Sequence, residues 1–299
     1  MSNWTKENIP DMTGKRILIT GGTSGLGRTE TEILAGTGAE VIVAARNTDK
    51  GDDVVRSIRE ARPDAKIEMR QLDLASLASI ESFAHRFTQD FDRLDVLINN
   101  AGVMVPPYGK TEDGFELQMG TNHFGTFALT GRLLPLLRQT PDSRVVVTSS
   151  MAHRQGDPDL SDLDWTERKY NAWQAYGDSK IANLLFTFEL DRRLDGKGPR
   201  VIAAHPGWTA TDLQRHSEVA NLLNHVFAMK PEQGALSPLR AATDPTATSG
   251  EYYGPTKMGG MRGYPEHATA IPRANDRDLA AELWAVSTER TGVSYDLAA

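Results

Sequence analysis

The 299-residue chain is 39% hydrophobic and 24% charged, with 33 Lys and Arg against 40 Asp and Glu for a net charge of −7. That balance excludes a disordered chain, and without a long basic run it speaks against a nucleic-acid or anionic-membrane binder. There is no cysteine, which removes disulfide scaffolds, thiolate catalysis and Cys-ligated zinc or iron–sulfur centres.

Residues 1–13 are polar and include Pro10, so no secretory segment is expected, and no stretch approaches the roughly 20 apolar residues of a membrane span. A cytoplasmic protein without a membrane anchor follows as the expectation. From residue 16 onward, short β-branched runs alternate with amphipathic segments. Strands are predicted at 16–20, 41–43, 67–69, 95–98, 145–147 and 201–203, and helices at 27–37, 49–61, 77–89, 115–137 and 173–194. The strand runs are continuously apolar, as for strands covered on both faces. Strand and helix alternating through six strands predict an α/β fold, a doubly wound parallel sheet in a single domain over 1–299.

The repeat breaks after Pro206. Residues 207–230 carry Trp208, Leu213, Leu222, Leu223, Phe227 and Met229 without a strand signal and are read as a substrate-loop region. A helix is predicted from Pro231 to 242, and a C-terminal extension over 251–299 holds a last strand at 251–253. A helix at 277–288 follows, with Leu279, Leu283 and Trp284 on one face. The segments 151–170 and 256–272 read as insertions. Asp157, Asp159, Asp162 and Asp164 in the first lack Ca²⁺-loop spacing and suit a solvated acidic loop better than a metal site.

The turn at 20–27 follows the first strand and opens the first helix, with the spacing Gly21-x-x-x-Gly25-x-Gly27. Glycine allows close backbone approach, and a helix N-terminus offers free N–H groups to a pyrophosphate. Dinucleotide binding is therefore expected there, through Gly21, Thr23, Ser24, Gly25, Leu26 and Gly27. At the end of the second strand an NAD site would carry an acid for the ribose 2′-hydroxyl. This chain has Ala44, Ala45 and Arg46 instead. Arg46 can grip a 2′-phosphate, with Arg28 in reach of it, so NADP is favoured over NAD. Surface solvation of both arginines is the plainer alternative.

Further motifs follow in order: Asp73-Leu74, Asn99 to Gly102, Asn122, Ser150, Tyr176 with Lys180, and Pro206-Gly207. Together with the 20–27 turn, this set resembles the short-chain dehydrogenase/reductase family over nearly the whole chain. The stretches 122–125, 170–183, 205–207 and 283–287 are similar to its retinol-dehydrogenase-like and WW-domain-oxidoreductase-like subgroup. The resemblance implies a Rossmann fold, an NAD(P) cofactor and hydride transfer between an alcohol and a carbonyl. Asp178 departs from the more usual neutral residue between Tyr and Lys.

Tyr176 and Lys180 are one helical turn apart on a shared face. A nearby ammonium favours the phenolate of a group whose ordinary pKa is near 10, so Tyr176 is expected to act as general acid in reduction and general base in oxidation. Tyr170, with Gln174 one turn on, has no such neighbour. Ser150 ends the fifth strand, where its hydroxyl can stabilise a developing alkoxide, and strand alternation turns Ser149 to the opposite face. Asn122 reads as an irregularity in a helix; the resemblance makes it a fourth catalytic member holding a water that relays protons to Lys180. His123 beside it reads as structural. The resemblance also gives Lys180 the nicotinamide ribose hydroxyls, sets Asn100, Ala101 and Gly102 along the adenosine side, and puts the carboxamide at Pro206 and Gly207. Thr209 and Thr211 are candidate contacts there, and Asp73 and Leu74 candidates at adenine.

Apolar residues at 103–108 and after Trp208 predict a hydrophobic alcohol or carbonyl as the small-molecule substrate. Packing of a lid or an oligomer interface accounts for them nearly as well, and the resemblance leaves room for a homo-oligomer. An NADP(H)-binding regulator without turnover is the alternative function; a sugar-nucleotide epimerase or dehydratase would be expected to have other glycine spacing and a larger C-terminal domain.

Overall fold

The first strand shows why the sheet is buried on both faces. In β1 (Arg16–Thr20), Ile17 and Ile19 join one apolar cluster with Val41, Val43 and Ile98, while Leu18 joins the opposite cluster with Ile42, Phe83 and Leu97. Successive strand side chains point to opposite faces, so an unbroken apolar run needs cover on both. The computed structural model describes residues 3–209 and 228–297. Within them β2 (Glu40–Ala45), β3 (Lys66–Gln71), β4 (Val96–Asn99), β5 (Arg144–Thr148) and β6 (Arg200–Ala204) all run parallel to β1. The order is β3-β2-β1-β4-β5-β6-β7-β8, with β7 (Tyr252–Lys257) parallel to β6 and β8 (Arg262–His267) antiparallel to β7. This is the doubly wound sheet that the sequence predicts. Its strand order reverses direction between β1 and β4, and ligands of such sheets bind outside the carboxyl ends of the strands at that point.

Helices α1 (Gly25–Leu34), α2 (Thr48–Ala61) and α3 (Leu77–Asp90) lie close to their predicted spans. Asn47 caps α2 by accepting from Lys50 N at 2.8 Å, and Ser76 caps α3 by accepting from Ser79 N. Three readings need correction. The helix predicted at 115–137 is broken into Leu117–Met119, a π-helical turn over Gly120–Phe124 and a helix over Gly125–Gln139. The helix predicted from Pro231 divides into Pro231–Gly234 and Leu236–Thr243. The segment 256–272, read as an insertion, supplies β8, because Pro and Gly are tolerated at a sheet edge where one side needs no ladder partner.

On α1 the carboxyl of Glu30 is fully buried and makes no hydrogen bond among the described residues, and burial pushes it well above the ordinary carboxylate range. A raised folded pKa means that its stability contribution is intact below the unfolded carboxyl pKa and is lost as pH rises toward the folded one. Glu30→Met should therefore raise unfolding free energy by about 1–3 kcal/mol at pH 8 and by less at pH 4.5. Urea unfolding at both pH values checks this; an equal gain at both would remove burial of the charge as its cause.

Candidate active site

One cavity of about 750 Å³ lies over the carboxyl ends of β1, β4 and β5, lined by Thr20, Asn100 and Ser150 among others. The glycine turn forms one wall through Gly21, Thr23, Ser24, Gly25, Leu26 and Gly27. Its tightness is set at Gly27, where a Cβ would come within 2.3 Å of Gly21 O and 2.4 Å of Asn100 Nδ2. Asn100 Nδ2 donates to Thr20 O at 3.0 Å, and the Asn100 and Ala101 backbone N–H groups both donate to Thr20 Oγ1. The loop after β4 is thereby stapled to the end of β1. Ser24, the N-cap of α1, makes no capping bond with its side chain, and the first turn carries no acid. The positive end of the helix dipole is left to an anion in the cavity, as a pyrophosphate requires.

At the β2 end, Ala44, Ala45, Arg46, Asp73 and Leu74 line the same cavity. Arg46 is 76% exposed, with Nη1 3.9 Å from Asp73 Oδ2. Lys50 joins them, a residue the sequence reading passed over; the Asn47 cap that starts α2 is the signal that could have found it. Arg28 stands outside the lining among the described residues, with its half-exposed guanidinium 2.8 Å from Glu32 one helical turn on.

Helix Ala172–Leu194 brings Tyr176 and Lys180 to the cavity opposite Ser150. Lys180 is buried, with Nζ donating to Thr148 O at 3.2 Å and standing 5.6 Å from the Tyr176 ring centre. Burial lowers Lys180 to about 8. Burial likewise pushes the Tyr176 phenol up to about 12, against a smaller downward pull from the Ser150 hydroxyl. Desolvation penalises both charged forms, and Tyr176 carries its proton at neutral pH, the form that serves as a general acid. Tyr170 is also held protonated, chiefly by burial and by Glu116, to which its hydroxyl donates at 2.9 Å.

Ser149 and Ser150 both line the cavity, but the Ser149 hydroxyl is spent on Lys180 O, to which it donates at 2.8 Å, while Ser150 Oγ accepts from Ala152 N. Asn122 lies in the π-helical turn and outside the lining. Its Oδ1 accepts from Val103 N at 2.8 Å, and its Nδ2 donates to Val103 O and Ser179 Oγ, so both amide protons are spent on protein partners. A Cβ on Gly102 would sit 2.9 Å from Asn122 Oδ1 and 3.5 Å from Lys180 Nζ, which shows how closely the three meet. A π-turn inside an α-helix is common at functional sites. His123 is buried, 2.8 Å from Ser287 Oγ, away from the cavity.

Asp178, the departure between Tyr and Lys, is buried and accepts from Asp157 N at 2.8 Å and from Gln174 Nε2. It ties the acidic insert to the helix carrying Tyr176. Asp162 accepts from the backbone of Thr166, and Asp164 pairs with Arg290. Pro206, Gly207 and Thr209 line the cavity, Thr209 Oγ1 donating to Pro206 O at 3.0 Å. Thr211 lies outside the described residues, as do Leu213, Leu222, Leu223 and Phe227 of the substrate-loop region. No helix among the described residues is long and apolar enough to cross a membrane.

Residues 15–221 match the family model of short chain dehydrogenases. Human retinol dehydrogenase 13 is 39% identical over 300 residues, covering 97% of this chain and 87% of the relative. Mouse retinol dehydrogenase 14 is 39% identical over 94% of this chain and 87% of its own length. The crystal structure of a Mycobacterium paratuberculosis protein superposes with a TM-score of 0.84 at 40% identity, covering 98% of this chain and 99% of the other. A short chain dehydrogenase of Shigella flexneri complexed with NADP gives a TM-score of 0.64 at 26% identity, over 81% and 97%.

Proposed function

The chain belongs to the short chain dehydrogenase family, in its retinol-dehydrogenase-like subgroup, and on that premise we propose that it interconverts a hydrophobic alcohol and its carbonyl with NADP(H). It is an oxidoreductase acting on CH–OH groups. The observation that carries the finer reading is the meeting, in one cavity, of an uncapped glycine-turn helix with Tyr176, Ser150 and a buried Lys180. Lys180 has three donors and spends one on Thr148 O, so an ammonium with spare donors fits the ribose hydroxyls of a dinucleotide. The nicotinamide supplies the hydride acceptor or donor when bound.

The protein's own residues then divide the work. Tyr176, protonated at neutral pH, gives its proton to the carbonyl oxygen in reduction and takes one back in oxidation. Ser150 holds that oxygen and stabilises its growing charge. Asn122 fixes the 102–103 loop beside Lys180 through its two bonds to Val103. Gly21 through Gly27, Asn100, Ala101 and Gly102 hold the nucleotide, with Pro206, Gly207 and Thr209 at its nicotinamide end and Asp73 and Leu74 at its adenine. Met104, Pro106, Leu117, Trp173 and Trp208 give the substrate an apolar wall.

NADPH oxidation, followed by absorbance with a panel of aldehydes and ketones, tests the reading. Tight NADPH binding with no turnover on any member would replace it by the regulatory alternative. Nucleotide choice is tested separately. Arg46 and Lys50 line the cavity where an acid would otherwise meet the 2′-hydroxyl. Arg46→Asp should reduce the NADPH/NADH ratio of kcat/KM by about 10- to 100-fold, the loss of one charge-assisted phosphate contact. A wild-type preference for NADH would overturn the NADP assignment.

A further inference from the structure

Among the described residues, four cationic side chains line the cavity. Arg46 and Lys50 stand at the nucleotide's 2′ end and Lys180 beside Tyr176, and the proposed function uses all three. Arg154 is left over. It lies on the 3₁₀ turn Met151–Gln155, four residues beyond Ser150, so that about 8 Å of 3₁₀ rise separates the two backbones.

The turn holds Arg154 in a fixed place. His153 Nδ1 lies 2.6 Å from Ser150 O, Gln174 Nε2 donates to Gln155 O at 2.7 Å, and Asp157 N is bound by Asp178. Arg154 Nη1 donates to Gly259 O at 2.7 Å, across to the turn between β7 and β8. Among the described residues the guanidinium makes no other hydrogen bond and has no carboxylate partner. Nη1 is the nitrogen on the Cδ side, so the edge formed by Nε–H and Nη2–H, with Nη2 beside Gly260, carries no hydrogen bond to a described residue. That edge is the two-donor fork that matches a carboxylate. The cavity it lines also carries the apolar side chains Met151, Trp173 and Trp208. In a chain of net charge −7, a soluble anion is repelled in bulk and needs such a local cation, acting within a few ångströms, to enter.

We propose that the substrate is an apolar chain with a carbonyl or alcohol at one end and a carboxylate at the other, the carboxylate held by Arg154. This rests on the reaction proposed above and names the substrate class for it. The oxygen to be protonated faces Tyr176 and Ser150, and the carboxylate leaves the apolar stretch where the 151–155 turn meets the 258–260 turn.

The test compares 10-oxodecanoic acid with its methyl ester in the wild type, Arg154→Leu and Arg154→Lys. The wild type should favour the acid in kcat/KM by at least about tenfold, Arg154→Leu should bring the acid/ester ratio near one through KM, and Arg154→Lys should fall between. A ratio near one in the wild type, or an unchanged ratio in Arg154→Leu, overturns the proposal. If neither compound oxidises NADPH, the proposed reaction fails on its own account and calorimetry with decanoate on the NADPH-loaded protein decides the carboxylate site. Binding at least about tenfold weaker in Arg154→Leu upholds it, and equal binding overturns it.

Discussion

Tyr176→Phe is expected to lower kcat by about 10²–10⁴-fold while leaving the NADPH dissociation constant within about threefold. The substitution removes one hydroxyl and keeps the ring that forms the cavity wall, so the nucleotide contacts at the glycine turn and at Lys180 are untouched. What is lost is the proton on a phenol pushed up to about 12, together with its bond to Ser150. That raised value gives the two directions different pH profiles. A phenol protonated throughout pH 6–8 is always ready to donate, so reduction should be flat across that range. Oxidation needs the deprotonated form, and its rate should climb with pH. Stopped-flow single turnovers in both directions check this, and a Phe variant with near-wild-type chemistry would dismiss Tyr176 as the acid.

Much of this arrangement is legible in the residues because the sheet enforces it. Runs such as 16–20 and 145–147 are apolar at every position, and only a strand covered on both faces uses such a run. Once six of them lie parallel, the ends of β1, β4 and β5 must face one cavity, and Ser150, Tyr176 and Lys180 reach it. The rest depends on competition that a sequence does not display. Arg28 has a phosphate and a carboxylate as possible partners, and Glu32 one turn on is always at hand. The π-turn at Gly120–Phe124 arises where the Asn122 amide is pulled onto Val103, a contact 19 residues back. Arg154 and Lys50 resemble any surface cation until the turn around each is placed. For Tyr176, the proximity of an ammonium is visible in the spacing of the residues, whereas the depth of burial that raises the phenol is not.

Lys180→Met should produce opposite effects on activity and on stability. Activity is expected to fall by about 10²-fold or more, since the variant loses the charge beside Tyr176 and the donors offered to the nucleotide. The nucleotide-free protein, however, should become more stable. Burial lowers the folded-state pKa of Lys180 from 10.5 to about 8, so the folded chain resists a proton that the unfolded chain holds readily. The unfolded state therefore binds more protons between about pH 8 and 10.5, and wild-type stability must rise with pH across that window. Below it the buried charge costs on the order of 1–3 kcal/mol, which a methionine of similar length does not incur. Urea unfolding should thus place the variant above the wild type at pH 7, with the gap closing toward pH 10.5. Saturating NADPH should narrow or invert the order at pH 7, because a ligand stabilises whichever protein binds it more tightly. A variant less stable than the wild type at pH 7 would mean that the ammonium is already well solvated or paired in the cavity. The spare donors assigned to the ribose would then have to be given up.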